Sequence, residues 1–357
     1  MNSWHDRRIL DLFGIDLPIL QAPMAGVSTP QMAIAVSEAG GLGSLACAQL
    51  SLDQARKDLA TIRQATRRPI NVNFFCHRPP APEPARIASW RALLAPYYRE
   101  LGLDTAAPIP ETNRVPFDEG FCALVEEAKP EVISFHFGLP ERSLLDRARA
   151  TGARIISSAT TVAEARWLEE HGCDAIIAMG LEAGGHRGNF LSDDMARQVG
   201  TFALVPQVVD AVRVPVIAAG GIADGRGIVA AFALDASAVQ IGTAYMLSPE
   251  AKLSPPHRQA LQSAADNDTV ITNLFTGRPA RGIVNRLMRD LGAVSPAAPS
   301  FPLAAGALLP IKAKAEAAGS GDFTNLWSGQ AGRLARELPA GELTRRLAAE
   351  ALERLRA

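Results

Sequence analysis

One histidine in this chain stands where a side chain could meet a bound molecule. His186 lies in residues 174–190, DAIIAMGLEAGGHRGNF, where a short apolar run empties into a loop carrying Gly180, Gly184, Gly185 and Gly188. A run of that length followed by glycines reads as a buried strand ending in a loop. Glycine has no Cβ, so its backbone can come close to a ligand. An imidazole in such a loop can accept, donate or move a proton near neutral pH. His136, at the end of the run Val132-Ile133-Ser134-Phe135, is a second candidate. A lone histidine is more often structural, and His5, His77, His171 and His257 have no setting that argues otherwise.

A second kind of chemistry is suggested by two further strand ends. AAGGI (218–222) and QIGTA (240–244) each end an apolar run in bare backbone, and Thr243 adds a hydroxyl. Backbone N–H groups at a helix N-terminus favour an anion such as phosphate. Two glycine turns would leave the same residues, so the assignment depends on the fold. GLGSLA (41–46) mimics a dinucleotide fingerprint but precedes or overlaps a strand and opens no helix at its third position. A mononucleotide on a phosphate cup fits better. No His/Asp/Glu or Cys cluster has metal-ligand spacing, and no G-x-S-x-G elbow occurs.

The elements that must position these groups alternate regularly. Apolar runs begin near Ile19, Leu42, Pro69, Val132, Arg154, Ala175, Val216 and Ala238. Helical stretches stand between most of them. Thr29 with Pro30, Ser51 with Gln54, and Thr161 with Glu164 mark helix starts. Eight strand–helix units over roughly 240 residues fit a closed parallel (β/α)8 TIM barrel better than an open sheet. Such barrels carry their sites at the C-terminal strand ends. Those ends here hold Pro23-Met24-Ala25-Gly26, Asn73, His136, Ser157-Ser158, the Gly184-Gly185-His186 loop, Gly220-Gly221 and Gly242-Thr243. The rhythm breaks at residues 78–116, which hold eight prolines and one helical stretch; this reads as a segment inserted over one face of the barrel. The expected organisation is a barrel over 1–246 and a smaller, mainly helical region over 247–357. That region should have helices around 269–275 and 341–356, and an Ala/Pro stretch at 293–307.

Bulk properties exclude several classes. The 357 residues carry a formal net charge of −1 and no Lys/Arg-rich block, so nucleic acid and anionic membranes are poor partners. No apolar stretch approaches the roughly 18 residues of a membrane span, and the N-terminus lacks the apolar core of an export signal. The four cysteines form no CxxC and read as reduced thiols. A cytoplasmic protein, monomer or homodimer, is expected.

The motifs together resemble a known family. QAPMAGVSTP (21–30), the strand with Asn73, SATTVAEAR (158–166), EAGGHRG (182–188), AAGGIADGRG (218–227), QIGTAY (240–245) and TGRPARGIVNR (276–286) resemble the nitronate monooxygenases, formerly 2-nitropropane dioxygenases. DFTNLWSGQAGRLAR (322–336) resembles the C-terminal motif of their bacterial class I branch. The resemblance implies one non-covalent FMN and oxidation of an alkyl nitronate by dioxygen to a carbonyl compound and nitrite. It implies flavin contacts from Pro23, Met24, Ala25, Asn73, Gly184, Gly185, Gly220, Gly221, Gln240, Ile241, Gly242 and Thr243, and catalysis by His186. Met179, also at the flavin, departs from the family pattern: a thioether, a weak acceptor only, stands where the family has a glutamine amide. The glycine–histidine loop is shared with flavin-dependent enoyl reductases. An NAD(P)H-dependent enoyl or quinone reductase is therefore the alternative activity, and a non-catalytic flavin-binding barrel the remaining one.

Overall fold

A computed structural model describes residue 4, residues 6–112 and residues 114–356. His5 lies outside the described residues. Among these residues, eleven strands form two sheets: β1 (Ile19–Gln21), β2 (Gly43–Ala46), β3 (Ile70–Phe75), β4 (Val132–His136), β5 (Arg154–Ala159), β6 (Ala175–Met179), β7 (Gly185–His186), β8 (Val216–Ala219), β9 (Ala238–Ile241), β10 (Thr269–Thr272) and β11 (Ala280–Ile283). Eight of them run parallel in the order β1-β9-β8-β6-β5-β4-β3-β2. A parallel bridge between Leu20 and Leu42 brings the two edges together, so the sheet is a nearly closed barrel. These are the eight runs expected from the sequence. All but a few of their side chains are buried, on both faces, as β/α architecture demands; Arg154 is exposed, and His136 and Gln240 are half-buried.

Among the described residues, thirteen α-helices accompany the strands: α1 (Arg8–Phe13), α2 (Pro30–Glu38), α3 (Leu52–Ala65), α4 (Pro84–Glu100), α5 (Glu119–Ala128), α6 (Arg142–Ala150), α7 (Val162–Glu170), α8 (Thr201–Val209), α9 (Gly225–Ala233), α10 (Pro255–Ser263), α11 (Arg286–Leu291), α12 (Ala304–Ala317) and α13 (Ala340–Arg356). The expected caps form. The Thr29, Ser51 and Thr161 hydroxyls accept from the N–H groups of Met32, Gln54 and Glu164. The Glu164 carboxylate does more than complete a cap. It is 1% exposed and accepts from the N–H and hydroxyl of Thr160 and from the N–H groups of Phe190 and Leu191. It thereby ties α7 to the chain just beyond His186.

The region after residue 247 departs from expectation in one element. Residues 269–275 were expected to be helical, but Thr269–Thr272 is strand β10, antiparallel to β11. A short apolar run cannot distinguish helix from strand by itself; here the partner strand decides. β11 also pairs with β7, setting Ala280 opposite His186 and Arg281 opposite Gly185. The backbone of the opening loop is thus one edge of a small sheet built by the tail.

The proline-rich segment and the tail share a second core. Trp90, Leu94, Tyr97 and Tyr98 of α4 pack with Ala304, Ala307, Leu308 and Ile311 of α12. Trp90 Nε1–H donates to the Ala304 carbonyl (3.1 Å) and the Tyr98 hydroxyl to the Ala307 carbonyl (2.7 Å). Burying each aromatic side chain contributes on the order of 2 kcal/mol. Gly306 is required at this contact, since a Cβ there would lie 2.7 Å from Ile109 and from the Pro110 carbonyl oxygen.

Candidate active site

The C-terminal ends of the barrel strands open into one large cleft, about 1330 Å³ counting the solvent at its mouth. Its wall includes Pro23, Met24, Ala25, Asn73, Met179, Gly184, Gly185, His186, Gly220, Gly221, Gln240, Gly242 and Thr243. One residue of the expected set is absent from that wall. Ile241 is fully buried in the barrel core. Successive side chains of a strand point to opposite faces, so with Gln240 facing the cleft, Ile241 turns away. Its carbonyl accepts from the Ala22 N–H at 2.8 Å.

The helix N-terminus that follows β8 is not open to an anion. At α9, Asp224 already accepts from the N–H groups of Arg226 and Gly227, and Glu350 accepts from that of Gly225. Carboxylates fill that helix end. The free donors lie one step earlier, where the N–H groups of Gly221, Ile222 and Ala223 meet no acceptor among the described residues. Gly220 and Gly221 hold φ values of +112° and +71° there. Across the cleft, Thr243 Oγ1 accepts from the Gly329 N–H (2.9 Å), leaving its own proton to donate.

The glycines of the opening loop divide their work. A Cβ at Gly185 (φ +71°) would meet nothing within 4 Å, so this residue opens onto the cleft. A Cβ at Gly184 would lie 2.5 Å from the Gly329 nitrogen, so Gly184 is small because the tail crosses there. Residues 327–329 form that crossing. Trp327 bridges to Gly282, and its carbonyl is held by His257 Nε2 at 3.0 Å. Inside the loop, the fully buried Arg187 donates to the carbonyls of Met179 and Gly180 (2.9 and 2.6 Å) and to the Gln198 side chain. Met24 N–H is used within its own turn, donating to Ser28 Oγ.

His186 is enclosed by rings: Phe301 at 5.4 Å, Trp327 at 5.5 Å, and Phe75 and Phe137 each at 6.1 Å between centroids. Its Nε2 shares a 2.9 Å hydrogen bond with the Thr276 hydroxyl; Nδ1 has no partner among the described residues. Burial, followed by the charges of Arg114, His136, Arg278 and His77, holds its pKa well below the ordinary histidine range. The ring is therefore neutral at pH 7. A threonine hydroxyl can donate or accept, so Nδ1 can be presented as either acceptor or donor.

His136 also faces the cleft, but both ring nitrogens are engaged. Nε2 lies 3.2 Å from the His186 carbonyl and Nδ1 2.7 Å from Ser158 Oγ. A carbonyl only accepts, so Nε2 carries the proton and Ser158 donates to Nδ1. Burial and the nearby Arg278 push this ring down to about 3. His77, which the sequence left without a setting, packs on Phe301 (4.8 Å) at the edge of the same cluster. His171 stacks on Trp167 at the surface. Thr276, Arg278 and Trp327 stand in motifs the sequence displayed without a role. Phe301 and Arg114 carried no signal at all.

The nitronate monooxygenase family description matches residues 6–350. The chain belongs to the nitronate monooxygenase family. Curated nitronate monooxygenases of Pseudomonas aeruginosa and Paraburkholderia phytofirmans are each 43% identical to it. The first alignment covers 96% of this chain and 98% of the relative, the second 98% and 97%. A crystal structure of nitroalkane oxidase from Streptomyces ansochromogenes superposes with a TM-score of 0.88 at 40% identity, covering 97% and 98%. FabK from Thermotoga maritima superposes less closely, with a TM-score of 0.75 at 30% identity over 99% and 98%. The chain is thus a nitronate monooxygenase by family, and that family uses a flavin. Among the described residues, no helix is long and apolar enough to cross a membrane, and no group of three or more His, Cys, Asp or Glu residues could hold a metal.

Proposed function

We propose that the cleft holds FMN and that His186 works on an alkyl nitronate above it, with dioxygen as oxidant and a carbonyl compound and nitrite as products. The observation that carries this reading is the placement of His186, with Nε2 held by Thr276 and Nδ1 unpartnered, on a cleft whose far wall is bare backbone. The fit to a flavin mononucleotide rests on three features. Gly221, Ile222 and Ala223 offer unpaired N–H donors to a phosphate, and Thr243 adds a hydroxyl. Gly185 leaves backbone open to a ring system. The Gln240 amide oxygen is buried at the cleft without a partner, as a group awaiting a ligand donor would be. Asn73, Met179, Gln240 and the 23–25 turn would line the ring edge, and 220–223 with 242–243 the phosphate.

When bound, the flavin supplies electron transfer between nitronate and dioxygen. The protein's part is to bind, orient and exclude water. His186 Nδ1, acting as a donor, hydrogen-bonds the nitro oxygens. As an acceptor, it takes the Cα proton of a neutral nitroalkane. Phe75, Phe137, Phe301 and Trp327 wall the ring from solvent, which strengthens each polar contact within. A cytoplasmic location belongs to the same proposal, and the four free cysteines support it. Oxygen uptake with matched nitrite release from ethyl nitronate tests the reading; flavin-loaded protein that consumes neither would refute it.

The likeness to FabK keeps one rival in view, an NAD(P)H-dependent flavin enoyl or quinone reductase. Rapid flavin reduction by NADH or NADPH, with none by nitronate, would establish the rival instead.

A further inference from the structure

Among the described residues, one group is hydrogen-bonded to the His186 ring, the Thr276 hydroxyl. Thr276 is 1% exposed and stands in the turn between β10 and β11. That turn is pinned along its length. Asn273, at its start, exchanges two hydrogen bonds with the backbone of Ser295, each 2.9 Å. Gly277 (φ +88°) lies so close to the Pro299 carbonyl that a Cβ there would overlap it. At the end of the turn, the Pro279 carbonyl accepts from the N–H of Arg187, the residue after His186, at 2.9 Å. The Thr276 oxygen is thus held at a fixed place, with three groups around it. His186 Nε2 is at 2.9 Å, and the N–H and the carbonyl of Arg278 are each at 3.4 Å.

A hydroxyl has one proton to give and two lone pairs to fill. The Arg278 N–H can only donate, and the Arg278 carbonyl can only accept. If Thr276 donates to that carbonyl, it accepts from the Arg278 N–H and from a protonated Nε2, and all three contacts are satisfied. If it donates to Nε2 instead, the Arg278 carbonyl has no partner among the described residues. The first arrangement leaves no donor or acceptor idle. A neutral imidazole carries one N–H, so a proton on Nε2 leaves none on Nδ1. We propose that Thr276 is a positioning residue that fixes the tautomer of His186, holding the proton on Nε2 and turning the bare Nδ1 lone pair to the cleft. The nitrogen that a histidine presents is set by the bond its other nitrogen makes. This deepens the reading of His186 as the group that meets the substrate, and its consequence for turnover rests on that reading. With a neutral nitroalkane, the Cα–H bond breaks, its electron pair passes to the nitro group, and its proton becomes Nδ1–H. The nitronate so formed then faces a donor, while Thr276 keeps Nε2–H in place throughout.

Nitrogen NMR of the holoenzyme, isotope-labelled at its histidine nitrogens, tests this directly. A ring nitrogen without a proton resonates far from one that carries it, and couplings to the two carbon-bound ring protons tell Nδ1 from Nε2. The His186 signals are those lost in His186→Asn. At neutral pH the wild type should show an unprotonated Nδ1 and a protonated Nε2. Thr276→Ser should match it, since serine keeps the hydroxyl. In Thr276→Val the buried Nε2–H has no acceptor, so the proton should pass to Nδ1, which faces the cleft, and the two assignments should exchange. An unprotonated Nε2 or a doubly protonated ring in the wild type overturns the proposal, whether or not a variant folds. A tautomer in Thr276→Val identical to that of the wild type overturns it as well. Oxygen uptake with ethyl nitronate is measured on the same preparation. Its absence refutes the functional reading, and the spectrum still decides whether Thr276 sets the tautomer.

Discussion

His136 donates its Nε2–H to the backbone carbonyl of His186, 3.2 Å away, while Ser158 donates to its Nδ1. One histidine thereby fixes the main chain of the other from the barrel side, and β11 fixes it from the tail side through Ala280. His186 is presented by two independent supports. His136 is a positioning residue: both its nitrogens are used within the protein.

Removing the Ser158 hydroxyl tests that division. Ser158→Ala leaves His136 Nδ1 with a buried, unsatisfied acceptor, a loss of about 1–3 kcal/mol. The expected outcome is a lower Tm and a kcat reduced several-fold, with flavin retained. Equal thermal stability and equal kcat would show that the His136 ring does not need this donor.

Replacing His186 should separate binding from turnover. His186→Asn keeps a hydrogen-bonding side chain of smaller size but no titratable group. Flavin content should match the wild type, because the cup at 220–223 is untouched, and kcat/KM for nitronate should fall about 10²-fold or more. Normal turnover in this variant would remove His186 from the chemistry.

Gly220 should tolerate no side chain. At φ +112° an L-residue is strained, and its Cβ would lie 2.8 Å from Thr201 Oγ1. Gly220→Ala should yield folded protein with flavin affinity weakened at least about tenfold, the change that about 1.4 kcal/mol makes. Fluorescence titration of the apoprotein with FMN measures this. Wild-type affinity would place the phosphate elsewhere.

Acid should destabilise the protein in a defined window. Burial holds four histidines neutral: His186 well below the ordinary range, His136 to about 3, and His77 and His257 to about 4. Unfolding returns each toward an ordinary value near 6.5. Between the folded and unfolded values the unfolded chain binds more protons, so this stability is present above about pH 6.5 and lost as pH falls toward 4. The groups facing His186 are Arg114, His136, Arg278 and His77, none of them an acid. Tm at pH 4.5 should lie at least about 5 °C below that at pH 7.5. For the same reason, any decline of kcat/KM due to His186 protonation should appear only well to the acid side of the ordinary histidine range. A Tm that rises on acidification would contradict the burial of these rings.

The sequence displayed the barrel because each strand is a short apolar run closed by glycine or a small polar residue, and eight such runs leave few alternatives. It displayed His186 because glycines flank it. Residues 269–272 were misread as helix because a run of seven residues has no period long enough to decide; β11, eight residues on, supplies the answer. Ile241 adjoins Gln240 in sequence, but strand alternation turns its side chain inward and off the cleft wall. The N-terminus of α9 is closed to an anion because Glu350, 125 positions beyond Gly225, occupies that helix end, a contact no local pattern shows. Phe301 reaches His186 only through packing of the tail on the barrel, and no local pattern encodes such a contact.

The central claim is that a flavin in this cleft takes electrons from a nitronate beside His186. The direct measurement is the visible spectrum of the purified holoenzyme, recorded anaerobically before and after addition of propionate 3-nitronate. The account predicts a flavin spectrum that is reduced by the nitronate and regenerated on admitting air, with nitrite released. A colourless protein that rejects added FMN, or a flavin spectrum that nitronate leaves unchanged, would contradict it.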